Sequence, residues 1–255
     1  YSLEWANDNQ TLFYDVLDEN HRPIKVFKHR LGEAPSQDEL VYEEMDERFF
    51  VGVFKSSSKR FIYIGASGNN MSEWRFQDAD DPGNTLTLIE PRREDFEYDV
   101  EDHGDRFLIR NNGDGAKDFK VSESPITAPS SANWQDLVPH ELGRPIGGIT
   151  VVQNYLILSL RYNGLPQLRV IEHATGDSFD LTFDEEDYYV GLIEGREWDS
   201  STLRYSYTSM TTPSTIYDYD IETHEREFRK QTEVLGDFSP ERYETRRVFA
   251  PAEDG

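Results

Sequence analysis

The chain has no cysteine among its 255 residues, so disulfide bonds and thiolate chemistry are excluded. It also lacks an apolar run long enough to cross a bilayer, and its start carries no signal-peptide pattern. No segment shows a sustained apolar period of 3.6, so almost no helix is expected. These absences favour a cytoplasmic protein without membrane partners, with the periplasm as the alternative compartment.

Basic residues are scarce, since 26 Lys and Arg face 50 Asp and Glu and leave a net charge of −24. Such a charge disfavours nucleic acids and anionic membrane surfaces as partners, and it concentrates cationic ones. Adaptation to a salty cytoplasm and steering of basic substrates both remain open as explanations. The acidic runs at 43–47 and 184–187 fall between repeats and are predicted to be solvated loops.

The sequence contains no recognisable catalytic or metal-binding motif. Gly65-Ala66-Ser67-Gly68 resembles a nucleophile elbow in letters, but its second glycine comes one position early, and it is predicted to be a turn. No carboxylate stands two or four residues from a histidine in a way that suggests a metal cage; the histidines are His21, His29, His103, His140, His173 and His224. We therefore predict no metal, no cofactor and no catalytic residue within this chain.

Short apolar, aromatic-rich runs recur at nearly constant spacing. The intervals between their first residues are 49, 46, 49 and 47. The runs are Leu12-Phe13-Tyr14, Phe61-Ile62-Tyr63, Phe107-Leu108-Ile109, Leu156-Ile157-Leu158 and Leu203-Arg204-Tyr205. A period in the forties, built from strand-like runs and turn residues, is typical of β-propeller blades.

Each repeat divides into four strand candidates separated by turn formers. The fold class is therefore predicted to be all-β, a β-propeller with five four-stranded blades at about 1–46, 47–94, 95–143, 144–186 and 187–237. The last connection of the third blade is expected to be long, at 122–133. The fourth strand of the fourth blade is expected at 178–183.

Several phrases carry a resemblance to a known family. They include EWANDNQTLFY at 4–14, PIKVFKHRLG at 23–32, DRFLIRNN at 105–112 and YTSMTTPSTIYDYD at 207–220. In order and spacing they resemble the later propeller blades of the oligopeptidase B (protease II) branch of the prolyl oligopeptidase family of serine peptidases. The resemblance covers essentially the whole chain.

The resemblance implies a seven-bladed propeller attached to an α/β-hydrolase domain of the same polypeptide. Two blades are then expected before Tyr1 and the hydrolase domain after Gly255, with 238–255 as a linker and the first returning strand. The catalytic Ser, Asp and His are expected in that domain, which leaves the propeller to gate and filter short, basic peptides cleaved after Arg or Lys. Candidate interdomain hinge residues are Phe238, Pro240, Tyr243 and Arg247.

The competing hypothesis is a stand-alone propeller that binds or scaffolds a protein or glycan partner. It predicts the same repeats without any following Gly-x-Ser-x-Gly sequence. A self-contained glycosidase is a third possibility, but 50 carboxylates offer no pair that the sequence alone can single out.

Overall fold

The computed structural model describes residues 2–193 and 197–253. They belong to two compact units, Tyr1–Leu142 and Gly143–Gly255. Within the described residues, the helical elements are four 3-10 turns of three residues each, at Pro35–Gln37, Gly113–Gly115, Ser131–Asn133 and Pro240–Arg242. None of these is long and apolar enough to cross a membrane. The all-β prediction is confirmed.

The first unit contains three antiparallel sheets of four strands each. Sheet 1 consists of β1 (Leu3–Trp5), β2 (Thr11–Leu17), β3 (Pro23–Arg30) and β4 (Glu39–Glu43). Sheet 2 consists of β5 (Phe50–Lys55), β6 (Phe61–Ser67), β7 (Ser72–Asp78) and β8 (Thr87–Glu90). Sheet 3 consists of β9 (Tyr98–His103), β10 (Arg106–Asn111), β11 (Lys120–Pro125) and β12 (Gln135–Val138).

The second unit contains two further sheets of the same kind. Sheet 4 consists of β13 (Ile146–Val151), β14 (Tyr155–Tyr162), β15 (Leu165–Glu172) and β16 (Ser178–Asp180). Sheet 5 consists of β17 (Tyr189–Leu192), β18 (Thr202–Thr208), β19 (Thr215–Asp220) and β20 (Arg226–Gln231). In all five sheets, strands adjacent in sequence are hydrogen-bonded neighbours, which is the meander of a propeller blade.

The cores lie between successive sheets of a unit. In the first unit, one cluster joins sheets 1 and 2 and includes Phe13, Val26, Val51, Ile62 and Ile64. Another joins sheets 2 and 3 and includes Phe61, Tyr63, Phe76, Tyr98 and Phe107. In the second unit, the cluster between sheets 4 and 5 includes Ile157, Leu168, Leu203, Tyr205 and Tyr207. Sheet 2 is thus buried on both faces.

Two predicted strand limits are wrong. Strand β11 continues to Pro125, so the connection expected at 122–133 begins later and holds the 3-10 turn Ser131–Asn133. Strand β16 ends at Asp180 rather than at Phe183. Phe183 turns instead into the core of the second unit, where its ring stacks on that of Tyr207 at a centroid distance of 5.3 Å.

The turn predicted from Gly65 to Gly68 is also wrong in its first three residues. Gly65, Ala66 and Ser67 belong to β6 and pair with β7. The glycine has a packing role here, because a Cβ at Gly65 would lie 3.0 Å from the indole ring of Trp74. That indole lies opposite Gly65 in the sheet and donates its N–H to the carbonyl of Tyr98 at 2.7 Å.

Candidate functional site

Three of the four hinge candidates form one local structure in the segment that leaves sheet 5. The rings of Phe238 and Tyr243 stack at a centroid distance of 5.7 Å and an interplanar angle of 19°. Pro240 is the first residue of the 3-10 turn Pro240–Arg242. Its carbonyl oxygen accepts the backbone N–H of Tyr243 at 3.0 Å. Proline favours the first position of such a turn because its φ is already fixed there. The stacked pair closes this turn on itself.

Arg247 lies apart from that pair and contacts sheet 4. Its guanidinium donates a hydrogen bond to the carbonyl oxygen of Asn163. Asn163 and Gly164 form the two-residue turn between β14 and β15, with φ of 49° and 79°. Asn-Gly favours such a turn because both residues tolerate positive φ. The backbone N–H of Arg247 donates to a carboxylate oxygen of Glu186 at 3.1 Å.

Glu185, in the connection between β16 and β17, gathers hydroxyl donors from two other segments. Its carboxylate accepts the hydroxyls of Thr212, of Thr211 at 3.1 Å, and of Thr245 at 3.4 Å. The Thr211 and Thr245 hydroxyls also meet at 3.2 Å. Burial opposes the charge on Glu185, but hydrogen bonds from Ser209, Thr212, Thr211 and Tyr207 outweigh it and hold its pKa below 4.5.

Together these contacts form a clasp, defined here as Asn163, Glu185, Glu186, Thr245 and Arg247. It ties the exit segment, residues 238–249, to the end of sheets 4 and 5 where β14 turns into β15 and β16 leads to β17. All of its bonds are polar and most are partly exposed, so each contributes modestly. Such a clasp can hold a chain segment and also release it.

The clasp was missed by the sequence analysis, apart from Arg247. The run 184–187 lies in the loop between β16 and β17, as predicted, and Glu186 is exposed there, but Glu185 is half-buried and bonded to three threonine hydroxyls. In the other acidic run, 43–47, the prediction of a solvated residue is wrong for Glu44, which is buried and pairs with Arg92. No short-range signal marks a carboxylate whose partners lie 26 and 60 residues away.

Groups of three or more metal-ligating side chains do not occur within the described residues. His29 does pair with a carboxylate, Asp38, at 2.7 Å, and the same carboxylate accepts the Tyr14 hydroxyl at 2.6 Å. This pairing spans nine residues and links β3 to the residue before β4. It orients the ring of His29 on sheet 1.

Removing the Glu185 carboxylate is expected to release the exit segment. In Glu185→Ala, the protection of the Arg247 amide against hydrogen exchange should fall by about tenfold, because the tie to Thr245 is lost. The lowered pKa gives the pH sign for the contacts between Glu185 and residues 207–212: they are complete above about pH 4.5 and weaken as pH falls through the lowered pKa of Glu185.

Asp187→Ala is the matched control for this prediction. Asp187 is an exposed carboxylate of the same run, and the described part of the chain shows it no contact with the exit segment. Its replacement should leave the protection of Arg247 unchanged. Equal protection in the two variants would show that the Glu185 contacts do not hold the segment.

The chain is similar in sequence to one protein-family model and to several curated proteins. Residues 1–232 match the family model described as prolyl oligopeptidase, N-terminal beta-propeller domain. The chain is 40% identical over 255 residues to dipeptidyl aminopeptidase BI of Pseudoxanthomonas mexicana, covering 100% of this chain and 35% of that protein. It is 30% identical over 254 residues to protease 2 of Moraxella lacunata, covering 100% of this chain and 36% of that protein.

Solved structures give the same picture. Oligopeptidase B from Trypanosoma brucei, in a closed form with covalently bound antipain, superposes with a TM-score of 0.93 at 30% identity, over 100% of this chain and 37% of that one. Oligopeptidase B from Leishmania major gives a TM-score of 0.92 at 30% identity, over 99% and 37%. The chain thus spans a little over a third of the length of these relatives.

Proposed function

Because the chain belongs to the prolyl oligopeptidase N-terminal β-propeller family, we propose that it is the propeller part of a serine oligopeptidase. In this role it gates and filters the peptides that reach a hydrolase domain of the same polypeptide. That domain would supply the catalytic Ser, Asp and His. The observation that carries the proposal is the match over the full chain to oligopeptidase B structures, with 30% identity and TM-scores of 0.92 and 0.93.

The clasp supports a gating role because it lies on the exit segment, where a following domain would be connected. Holding the segment fixes the position of that domain, and releasing it lets the domain move. Opening would admit a peptide and closing would exclude water and complete the active site. The Trypanosoma brucei oligopeptidase B structure is a closed form, which is consistent with a parent enzyme of this kind that also opens.

We propose that the substrates are short peptides cleaved after Arg or Lys, which is the specificity that the resemblance to oligopeptidase B implies. The net charge of −24 supports this preference, because a strongly negative surface raises the local concentration of cationic peptides. Folded proteins would be excluded by size. A cytoplasmic location belongs to the same proposal and would be tested by cell fractionation.

A second specificity follows from the relative at 40% identity, which is named a dipeptidyl aminopeptidase. Such an activity removes dipeptides and needs a free amino terminus on its substrate. Two peptides of the same sequence with a single Arg, one acetylated and one free, distinguish the hypotheses in the complete polypeptide. Cleavage of both supports an oligopeptidase, whereas cleavage of the free peptide alone supports the dipeptidyl activity and overturns the proposed one.

Salt should weaken the reaction if the acidic propeller steers substrates. Between low ionic strength and about 0.5 M salt, kcat/KM for a peptide with two basic residues is expected to fall by about tenfold, since screening shortens the reach of the charge. A control peptide that keeps only the basic residue at the cleavage point and has no net charge should show a smaller fall in kcat/KM with salt. A flat response for the doubly basic peptide would contradict steering and leave salt adaptation as the reason for the acidity.

A further inference from the structure

A cavity of about 420 Å³ lies at the end of sheet 3 where β10 turns into β11. Its floor is polar and built into the sheet, because Asn111 and Ser122 are buried and the side chain of Lys120 is only 10% exposed. These three residues share the face of sheet 3 that carries Phe107 and Ile109 toward sheet 2. The walls include Arg93, Phe96, Asp114, Trp134 and Asp136. The cavity therefore belongs to the first unit and is built from the middle of the chain.

One ammonium group serves two carboxylates in this cavity. The amine nitrogen of Lys120 lies 2.9 Å from a carboxylate oxygen of Asp136 and 3.1 Å from one of Asp114. Burial opposes the charge on Lys120, but its hydrogen bonds to the two carboxylates outweigh burial and raise its pKa, so the amine is protonated at neutral pH. The triad, defined here as Asp114, Lys120 and Asp136, therefore carries one negative charge in excess.

Asp114 lies at the exposed side of the cavity. Its side chain is 91% exposed, against 47% for Asp136. The backbone of Asp114 has a φ of 55°, in the left-handed region that aspartate tolerates. Asn111 holds this turn, because its side-chain oxygen accepts the N–H of Gly113 at 3.1 Å. Lys120 engages one oxygen of each carboxylate, so the second oxygen of each can accept a hydrogen bond from a ligand without disturbing the sheet.

Two aromatic rings line the same cavity. The ring centroids of Phe96 and Trp134 lie 6.0 Å apart, and the indole N–H of Trp134 donates to the carbonyl of Pro129 at 2.7 Å, which fixes its ring. Aromatic faces attract cations. The guanidinium of Arg93 already lies 3.6 Å from the ring centroid of Phe96, and it pairs with Glu90 at 3.0 Å. Because Glu90 compensates Arg93, the excess negative charge of the triad remains.

We propose that this cavity binds a cationic side chain of a peptide, with its charged group on Asp114 and Asp136 and its aliphatic part against Trp134. Charged hydrogen bonds to the two carboxylates neutralise the excess charge of the triad. The volume of about 420 Å³ is within the range of pockets that hold small ligands. The peptide as ligand rests on the proposed function, because the parent peptidase is proposed to take basic peptides, whereas the cationic chemistry rests on the triad alone.

Calorimetric titration of the 255-residue chain with N-acetyl-arginine amide tests the proposal. N-acetyl-citrulline amide is the matched probe, because it keeps the shape of the arginine probe and lacks its charge. The arginine probe should bind at one site per chain, and the citrulline probe should bind about tenfold more weakly. In Asp114→Asn, binding of the arginine probe should also weaken about tenfold, because the triad loses its excess charge. Asparagine should keep the turn, since it also tolerates positive φ.

Asp105→Asn is the control variant. Asp105 is an exposed carboxylate in the turn between β9 and β10 of the same sheet, and its replacement changes the net charge equally. This variant should bind the arginine probe as the wild type does. Equal weakening in Asp114→Asn and Asp105→Asn would show attraction by net charge alone and would overturn the site. Equal binding of the two probes by the wild type would overturn it too.

The site and the proposed function can fail separately. Binding of the arginine probe by this chain, without peptide hydrolysis by the complete polypeptide, would refute the peptidase role and leave the cationic site in place. Hydrolysis by the complete polypeptide, without binding of the arginine probe by this chain, would refute the site alone.

Discussion

Replacing Tyr98 with Phe is expected to lower the free energy of unfolding of the first unit by about 3 kcal/mol. Tyr98 of β9 is fully buried, and its hydroxyl reaches sheet 2 where the register between β7 and β8 shifts after Trp74. There it donates to the carbonyl of Glu90 at 2.6 Å. It also accepts the backbone N–H groups of Trp74 at 2.9 Å and of Glu90 at 3.1 Å. The substitution deprives three buried backbone groups of this partner.

Tyr63→Phe is the matched control. Tyr63 is 2% exposed and packs in the same cluster as Tyr98, but its hydroxyl has no hydrogen-bond partner among residues 2–193 and 197–253. Removing a buried unsatisfied hydroxyl should leave stability unchanged or raise it. Chemical denaturation followed by the fluorescence of Trp74 and Trp134, which pack against this cluster, measures both variants. Equal losses would contradict the role given to the Tyr98 hydroxyl.

Arg92→Ala is expected to be comparably damaging, at about 3 kcal/mol. The Arg92 guanidinium pairs with Glu44, in the connection between sheets 1 and 2, and with Glu73 of β7 at 3.2 Å. It also lies 3.9 Å from the ring centroid of Phe49. Both carboxylates are buried, so removing the arginine leaves Glu44 without its cationic partner in the interior and Glu73 with Arg75 alone, at 2.7 Å.

The effect of Arg92→Ala should depend on pH. Burial raises the pKa of Glu44 and of Glu73, but hydrogen bonds from Arg92 outweigh it and hold both pKa values below 4.5. Tyr42 and the Asp46 N–H add to this effect at Glu44, and Arg75 adds to it at Glu73. The network therefore stabilises the fold above about pH 4.5, and this contribution is lost as pH falls through the lowered values. The difference between wild type and variant should shrink in acid. A difference that stays constant with pH would contradict this electrostatic explanation.

Arg48→Ala provides the comparison for Arg92. Arg48 pairs with Asp46 at 2.8 Å on the surface, and its side chain is 63% exposed. Exposed ion pairs contribute little because water and salt screen them. Its replacement should leave the unfolding transition almost unmoved at every pH.

The middle strands of the sheets could be predicted because burial shapes their composition directly. In β6, Ile62 packs into the cluster with sheet 1, while Phe61 and Tyr63 pack into the cluster with sheet 3. A strand covered on both faces reads as a continuous apolar run, so the recurring triplets marked such positions. In Leu203-Arg204-Tyr205, the central residue departs from the pattern because Arg204 pairs with Asp218 at 2.7 Å.

The strand ends and the clasp could not be predicted in the same way. Phe183 is an aromatic residue of the kind that strands favour. Its ring packs on those of Tyr188 and Tyr207 and lies outside the sheet, and the sequence pattern does not show the contact with Tyr207 because that residue is distant along the chain. Glu185 reads as one solvated acid among several, yet hydroxyls from two distant segments converge on it. Local sequence patterns indicate which residues are buried, but they do not indicate which polar side chains the fold brings together.

We propose that this propeller filters peptides for a serine peptidase within the same polypeptide. The most direct test is hydrolysis by the complete polypeptide of a short acetylated peptide with one Arg, compared with the same sequence inside a stable folded domain. We predict rapid cleavage after Arg in the peptide, and cleavage of the domain only once it is unfolded. Absence of hydrolysis, or equal cleavage of the peptide and the folded domain, would contradict the proposed filtering.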